Sequence, residues 1–139
     1  MKLRSILASV VLALGLTAGG LAAGPAATQA AGKPSIKITS VTVHAKCITV
    51  KVQVSNFKLV KPVYKPPIPK LKGNAGHIHY TLNGKILPTR DATTALSHTF
   101  CGSSQFVKKG MNVVSVYLAT AQHTMFPGTK PSTKGVMVK

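Results

Sequence analysis

The sequence predicts an all-β domain, an antiparallel β-sandwich of six or seven strands, preceded by a signal peptide. Three observations carry this. Apolar residues alternate with polar ones at period 2 from Ile36 onward. Turn residues separate the alternating runs, and no helical period follows Ala30. The chain from 31 to 139 suffices for one domain with a modest core.

The segment 1–30 reads as a secretory signal. "MKLR" is the basic start, "SILASVVLALGL" the apolar run, and "TAGGLAAGPAATQA" brings small residues to a cleavage point near Ala30 or Ala31. The apolar run falls short of the roughly 20 residues a spanning helix needs, so no stable membrane insertion is expected after cleavage. The mature domain is therefore 31–139, in a secreted (extracellular or periplasmic) protein.

Strands are expected at 36–43 ("IKITSVTV") and at 47–57, where Ile48, Val50, Val52 and Val54 share a face. In 77–83 ("HIHYTLN"), Ile78, Tyr80 and Leu82 face one way and His77, His79 and Thr81 the other, and Asn83-Gly84 then turns the chain. A strand at 95–101 ("ALSHTFC") would align Leu96, His98 and Phe100; another at 111–121 aligns Val114, Val116 and Leu118; "KGVMVK" closes the chain. The segment 58–76 holds four prolines and is expected to run as an extended loop. A second Pro/Gly-rich loop spans 122–133.

Cys47 and Cys101 are the only cysteines, and in an oxidising compartment they predict one disulfide. It would close a loop of about 54 residues and contribute about 4 kcal/mol on the loop-entropy model.

Charge is extreme. The chain has 18 Lys and Arg against one acid, Asp91, a net +17; without Lys2 and Arg4 the mature domain keeps +15 before histidines. Such a field attracts anionic cell-surface polymer. Lys58, Lys61, Lys65, Lys70 and Lys72 in the proline-rich loop are the candidate contacts. A solvated loop held extended by charge and proline, in a protein adapted to an acidic habitat where few carboxylates are left to protonate, explains the same residues.

The chemistry-bearing residues are histidines. His77 and His79 point the same way along a strand, about 6.6–6.8 Å apart, and two inward-leaning rings can share one ion. If the 77–83 and 111–121 strands pair antiparallel, His123 and Met125 arrive beside them. His98 would join from the intervening strand, and His44 stays outside. A copper or zinc ion is the expected cofactor. No carboxylate is placed to orient these rings, so backbone carbonyls would have to do so.

"GHIHYTLNGK", followed by "HTF" and "GMNVVSVYLATAQH", resembles a group of small secreted bacterial immunoglobulin-like domains with a Gly-His-x-His strand. The resemblance covers about residues 76–139 and implies an immunoglobulin-like fold with His77, His79 and His123 in one cluster. A more distant similarity is to periplasmic copper carriers and cupredoxins. A blue-copper centre needs a Cys thiolate close before its His and Met; here Cys101 lies far ahead of His123 in the chain and is assigned to the disulfide.

An enzyme is not expected. Asp91 is the only side-chain carboxylate, in "TRDAT", which reads as an exposed turn, so two-carboxylate glycosidase chemistry is excluded and no Ser-His-Asp order can be assembled. Nucleic acid is not an expected partner, because the chain lacks Trp and most of its Phe and Tyr fall on core faces.

Overall fold

The computed structural model describes residues 32–139. The expected signal segment, 1–30, lies outside them. The chain forms β1 (Ser35–His44), β2 (Cys47–Ser55), the two-residue β3 (Lys58–Leu59), β4 (Ala75–Leu82), the single-turn helix α1 (Pro88–Asp91) and β5 (Ala92–Thr93). It continues through β6 (Ser97–Cys101), a 3-10 turn (Ser103–Gln105), β7 (Gly110–Ala119) and β8 (Ser132–Val138).

These strands build two sheets. One has the order β1-β2-β6; the other has β3-β4-β7-β8, with β5 also paired to β4. All pairings are antiparallel except that of β3 with β4. The two sheets share one core. Ile36, Ile48, Val50, Val52 and Phe100 come from the first, and Ile78, Tyr80, Leu82, Val114, Val116 and Leu118 from the second. These are the residues that period-2 alternation assigns to inner faces, and burial of each large apolar side chain contributes about 1.5–3 kcal/mol. Asn83 and Gly84 both take positive φ, which lets the chain reverse tightly into the Leu82–Lys85 bridge.

Cys47 and Cys101 sit directly opposite each other in the β2–β6 register and are disulfide-bonded. The bridge therefore ties neighbouring strands of one sheet. Among the described residues no helix is long and apolar enough to cross a membrane.

Two expectations need correction. Alternation puts Leu96 on a buried face with His98 and Phe100, but β6 begins only at Ser97 and Leu96 is 49% exposed. Its carbonyl instead accepts a hydrogen bond from Val52 N–H at 2.9 Å. Asp91, expected in an exposed turn, is fully buried. It closes α1, with Oδ2 accepting from Leu87 N–H at 2.7 Å and Oδ1 lying 3.0 Å from His98 Nε2. The local sequence is polar enough for a turn, but a separate strand supplies the partner that offsets the cost of burial.

β4 is buried along its whole length. Its inner face meets the core. On its outer face His77 and His79 meet His123 from the turn after β7, the proline-rich segment reaches that same histidine, and Thr81 Oγ1 donates to the Ser115 carbonyl. That outer face positions the candidate site.

Candidate metal centre

The site begins with a glycine. A Cβ on Gly76 would collide with the Ala119 carbonyl and press on the Phe57 ring, so only glycine lets β4 lie this close to the end of β7. With that approach, His77 pairs with Ala119 and His79 with Tyr117 across the antiparallel ladder.

Beyond Ala119 the chain reverses at once. Thr120 N–H donates to the Thr124 carbonyl at 2.8 Å, His123 N–H to the Thr120 carbonyl at 3.0 Å, and the Thr120 and Thr124 hydroxyls lie 2.8 Å apart. His123 takes φ 61°, a left-handed conformation uncommon outside glycine. Phe126 N–H then bonds the Leu118 carbonyl, and Phe126 packs edge-on against Phe57 at 5.0 Å. This tight return carries the His123 ring back over β4.

Three ring nitrogens converge as a result. His77 Nε2 lies 2.9 Å from His79 Nε2 and 3.1 Å from His123 Nδ1, and His79 Nε2 lies 3.2 Å from His123 Nδ1. An ion at about 2.0–2.1 Å from all three would subtend N–metal–N angles of roughly 90–105°, the range of three corners of a tetrahedral or pyramidal site. His77 and His79 are 1% and 3% exposed, and His123 is half-buried.

The outer nitrogens of two rings are engaged. His123 Nε2 lies 3.0 Å from the Val63 carbonyl, which can only accept. That bond assigns the proton to Nε2 and leaves Nδ1 of the neutral ring as a lone pair aimed at the cluster. His79 Nδ1 is 2.9 Å from Tyr117 Oη, so Nδ1 can donate there while Nε2 presents its lone pair. Tyr64 stacks on His123 at 4.8 Å between ring centroids.

Burial lowers the pKa of His77 to about 4, with the His123 charge as the second cause. His79 is also lowered to about 4, by burial first and then by His77 and His123. Both rings are thus neutral, the ligating form, across the ordinary pH range.

The structure brings His77, His79 and His123 together, and these three form a group whose ligand atoms lie within 4.8 Å of one another. His98 does not join them, which corrects the expectation that it would. Its strand pairs with β2 in the other sheet, so its ring turns to the interior, stacks on Tyr80 at 5.0 Å and bonds Asp91. Met125 lies on the return segment opposite Ala119 and is 50% exposed. His44 ends β1 and is exposed. Lys58, Lys61, Lys65, Lys70 and Lys72 are all exposed on the segment whose Val63 and Tyr64 hold His123.

Sequence reasoning missed Tyr117, Tyr64 and Val63. The β4–β7 register, once assumed, sets Tyr117 opposite His79, so that residue was within reach. Nothing in a proline-rich loop marks which carbonyl or ring will meet a histidine from a distant part of the chain. Searches against protein-family models, curated proteins and solved structures find no match to this chain.

Proposed function

We propose that this chain is a secreted, immunoglobulin-like binding domain, not an enzyme, that holds one transition-metal ion, copper before zinc, through His77, His79 and His123. The supporting observation is the convergence of three imidazole nitrogens within 3.2 Å of one another, two of them on buried rings. Neutral rings gathered this closely gain little from each other's protons, whereas one cation satisfies all three lone pairs.

The donor set supports copper. Imidazole suits copper and zinc alike, and copper(II) tops the divalent affinity order. No carboxylate belongs to the group, so the ion's charge stays uncompensated in a strongly basic chain. Copper(I), with a single charge, carries the smallest such cost. The non-enzymatic reading rests on Asp91, the one side-chain carboxylate, being fully buried and held by His98 and Leu87. The disulfide agrees with export to an oxidising compartment.

The test is a titration of the oxidised mature protein with Cu(I), Cu(II) and Zn(II) beside a His77→Ala/His79→Ala variant. One tight equivalent, lost in the variant, is expected. Equal binding by both proteins would overturn the reading. A second reading, adhesion to acidic surface polymer through Lys58, Lys61, Lys65, Lys70 and Lys72, draws on the exposure of all five. Such binding weakens steeply with salt, while coordination to nitrogen hardly changes.

A further inference from the structure

At the opposite end of β7 from the histidines, about 30 Å away along the strand, the chain forms a cavity of about 520 Å³. Lys46, Lys108, Lys109 and Lys139 line it, together with Ser103, Val107 and Val138. Other cavities, beside Tyr64, Met137 and Leu71, have one lysine each. The concentration of positive charge at this one concavity therefore exceeds what a generally basic surface supplies.

The lysines come from three separate stretches, and the backbone that carries them is fixed. Lys46 sits in the β1–β2 turn, where its carbonyl accepts from Gly102 N–H at 2.9 Å, next to the Cys47–Cys101 bridge. Gln105 Oε1 accepts from Cys101 N–H at 2.7 Å and holds the next turn. Fully buried Asn112 clamps the stretch before β7. Its Oδ1 accepts from Lys108 N–H at 3.1 Å, and its Nδ2 donates to the Lys108 and Gly110 carbonyls at 2.7 and 3.0 Å. Val138 pairs with Gly110, which sets Lys139 beside this stretch.

Four lysines gathered round one concavity repel each other, and a bound anion would relieve that repulsion. The lining contains no acidic side chain; the one negative group it includes is the terminal carboxylate of Lys139. Lysine is a point-charge donor suited to phosphate oxygens; the four charges call for roughly two phosphate groups at about −1.5 to −2 each, or for more of them along a phosphodiester chain, where each phosphate carries a single charge. We infer that this basic cup binds a ligand with at least two neighbouring phosphate groups, either a condensed inorganic phosphate or a phosphodiester polymer. The site is independent of the metal centre and uses none of the proline-loop lysines.

The experiment is a calorimetric and NMR titration of the mature protein with sodium pyrophosphate and, separately, with poly(glycerol phosphate), at fixed ionic strength. A Lys46→Ala/Lys108→Ala/Lys109→Ala variant is compared with Lys37→Ala/Lys51→Ala/Lys134→Ala, which removes the same charge from exposed strand positions. Thermal melts confirm that both fold. Saturable binding of either ligand, weakened at least tenfold in the first variant and less than twofold in the second, is expected. Pyrophosphate binding alone assigns the condensed source, and polymer binding the surface source. Equal weakening in the two variants, or no saturable binding of either ligand, overturns the inference.

Discussion

Two histidine sites lie on opposite faces of β4, and their difference is instructive. On the inner side His98 meets the chain's only acidic side chain: Asp91 takes its Nε2, and Tyr80 and Phe100 flank the ring. On the outer side His77, His79 and His123 have no carboxylate and aim three nitrogens at one point. The inner pair is held by a carboxylate; the outer nitrogens have only one another, at 2.9 to 3.2 Å, and could together hold a metal ion. Burial lowers the pKa of histidines at both sites, so burial alone does not separate a structural histidine from a ligand. The partner of the second ring nitrogen does. A carboxylate on the inner side takes a hydrogen bond from His98 Nε2, whereas a carbonyl and a phenol on the outer side orient rings whose other nitrogens are offered elsewhere.

The sharpest break of this comparison comes from placing alanine at each site in turn. His123→Ala should lower metal affinity by more than 100-fold and leave thermal stability of the metal-free protein within about 1 kcal/mol, since the ring is half-buried. His98→Ala should do the reverse. It leaves buried Asp91 with only the Leu87 amide and opens space against Tyr80, costing about 3 kcal/mol, with metal stoichiometry unchanged. Denaturant melts and metal titrations on both variants check this, and a loss of metal in His98→Ala would erase the distinction.

Next in size is Gly76→Ala. The new methyl must push β4 away from the Ala119 carbonyl, so we expect about 2–3 kcal/mol of destabilisation together with weakened metal binding. A variant that keeps full affinity would show that this close approach does not set the ligand geometry. Tyr117→Phe should be milder, removing only the hydrogen-bond partner of His79 Nδ1 and lowering affinity about tenfold with little change in stability.

A separate check is read from pH. His77 and His79 titrate near 4 in the folded chain against about 6.5 when unfolded, so the unfolded state binds more protons between those values. Stability of the metal-free protein is therefore full above pH 6.5 and declines as pH falls towards 4. Melting temperatures across that window should fall for the native chain and fall less steeply in a His77→Leu/His79→Leu variant that folds, where buried His98 still contributes. A rise in melting temperature on acidification would contradict the assigned neutrality.

Much of this is legible in the sequence, for physical reasons. Alternation at Ile48, Val50 and Val52 and at Ile78, Tyr80 and Leu82 reports a half-buried strand directly, and the structure buries all six. His123 belongs beside His77 because antiparallel pairing brings the end of one strand to the start of its neighbour, and the β4–β7 register does this. His98 escapes such reasoning because alternation gives a strand's faces and not its sheet; β6 pairs with β2 across a separation no local pattern encodes. Asp91 escapes it for the same reason, since its burial depends on His98 arriving from that strand. The two rings that frame the site, Tyr64 and Tyr117, differ in a similar way: Tyr117 follows from register, Tyr64 from the path of an irregular loop.

X-ray absorption on the copper-loaded mature protein tests the central claim most directly, because it counts and identifies ligands. Three imidazole nitrogens at about 2.0 Å are expected, falling to two in His123→Ala. A spectrum with one imidazole or none, or one unchanged by removing His123, would contradict a centre built from these three histidines.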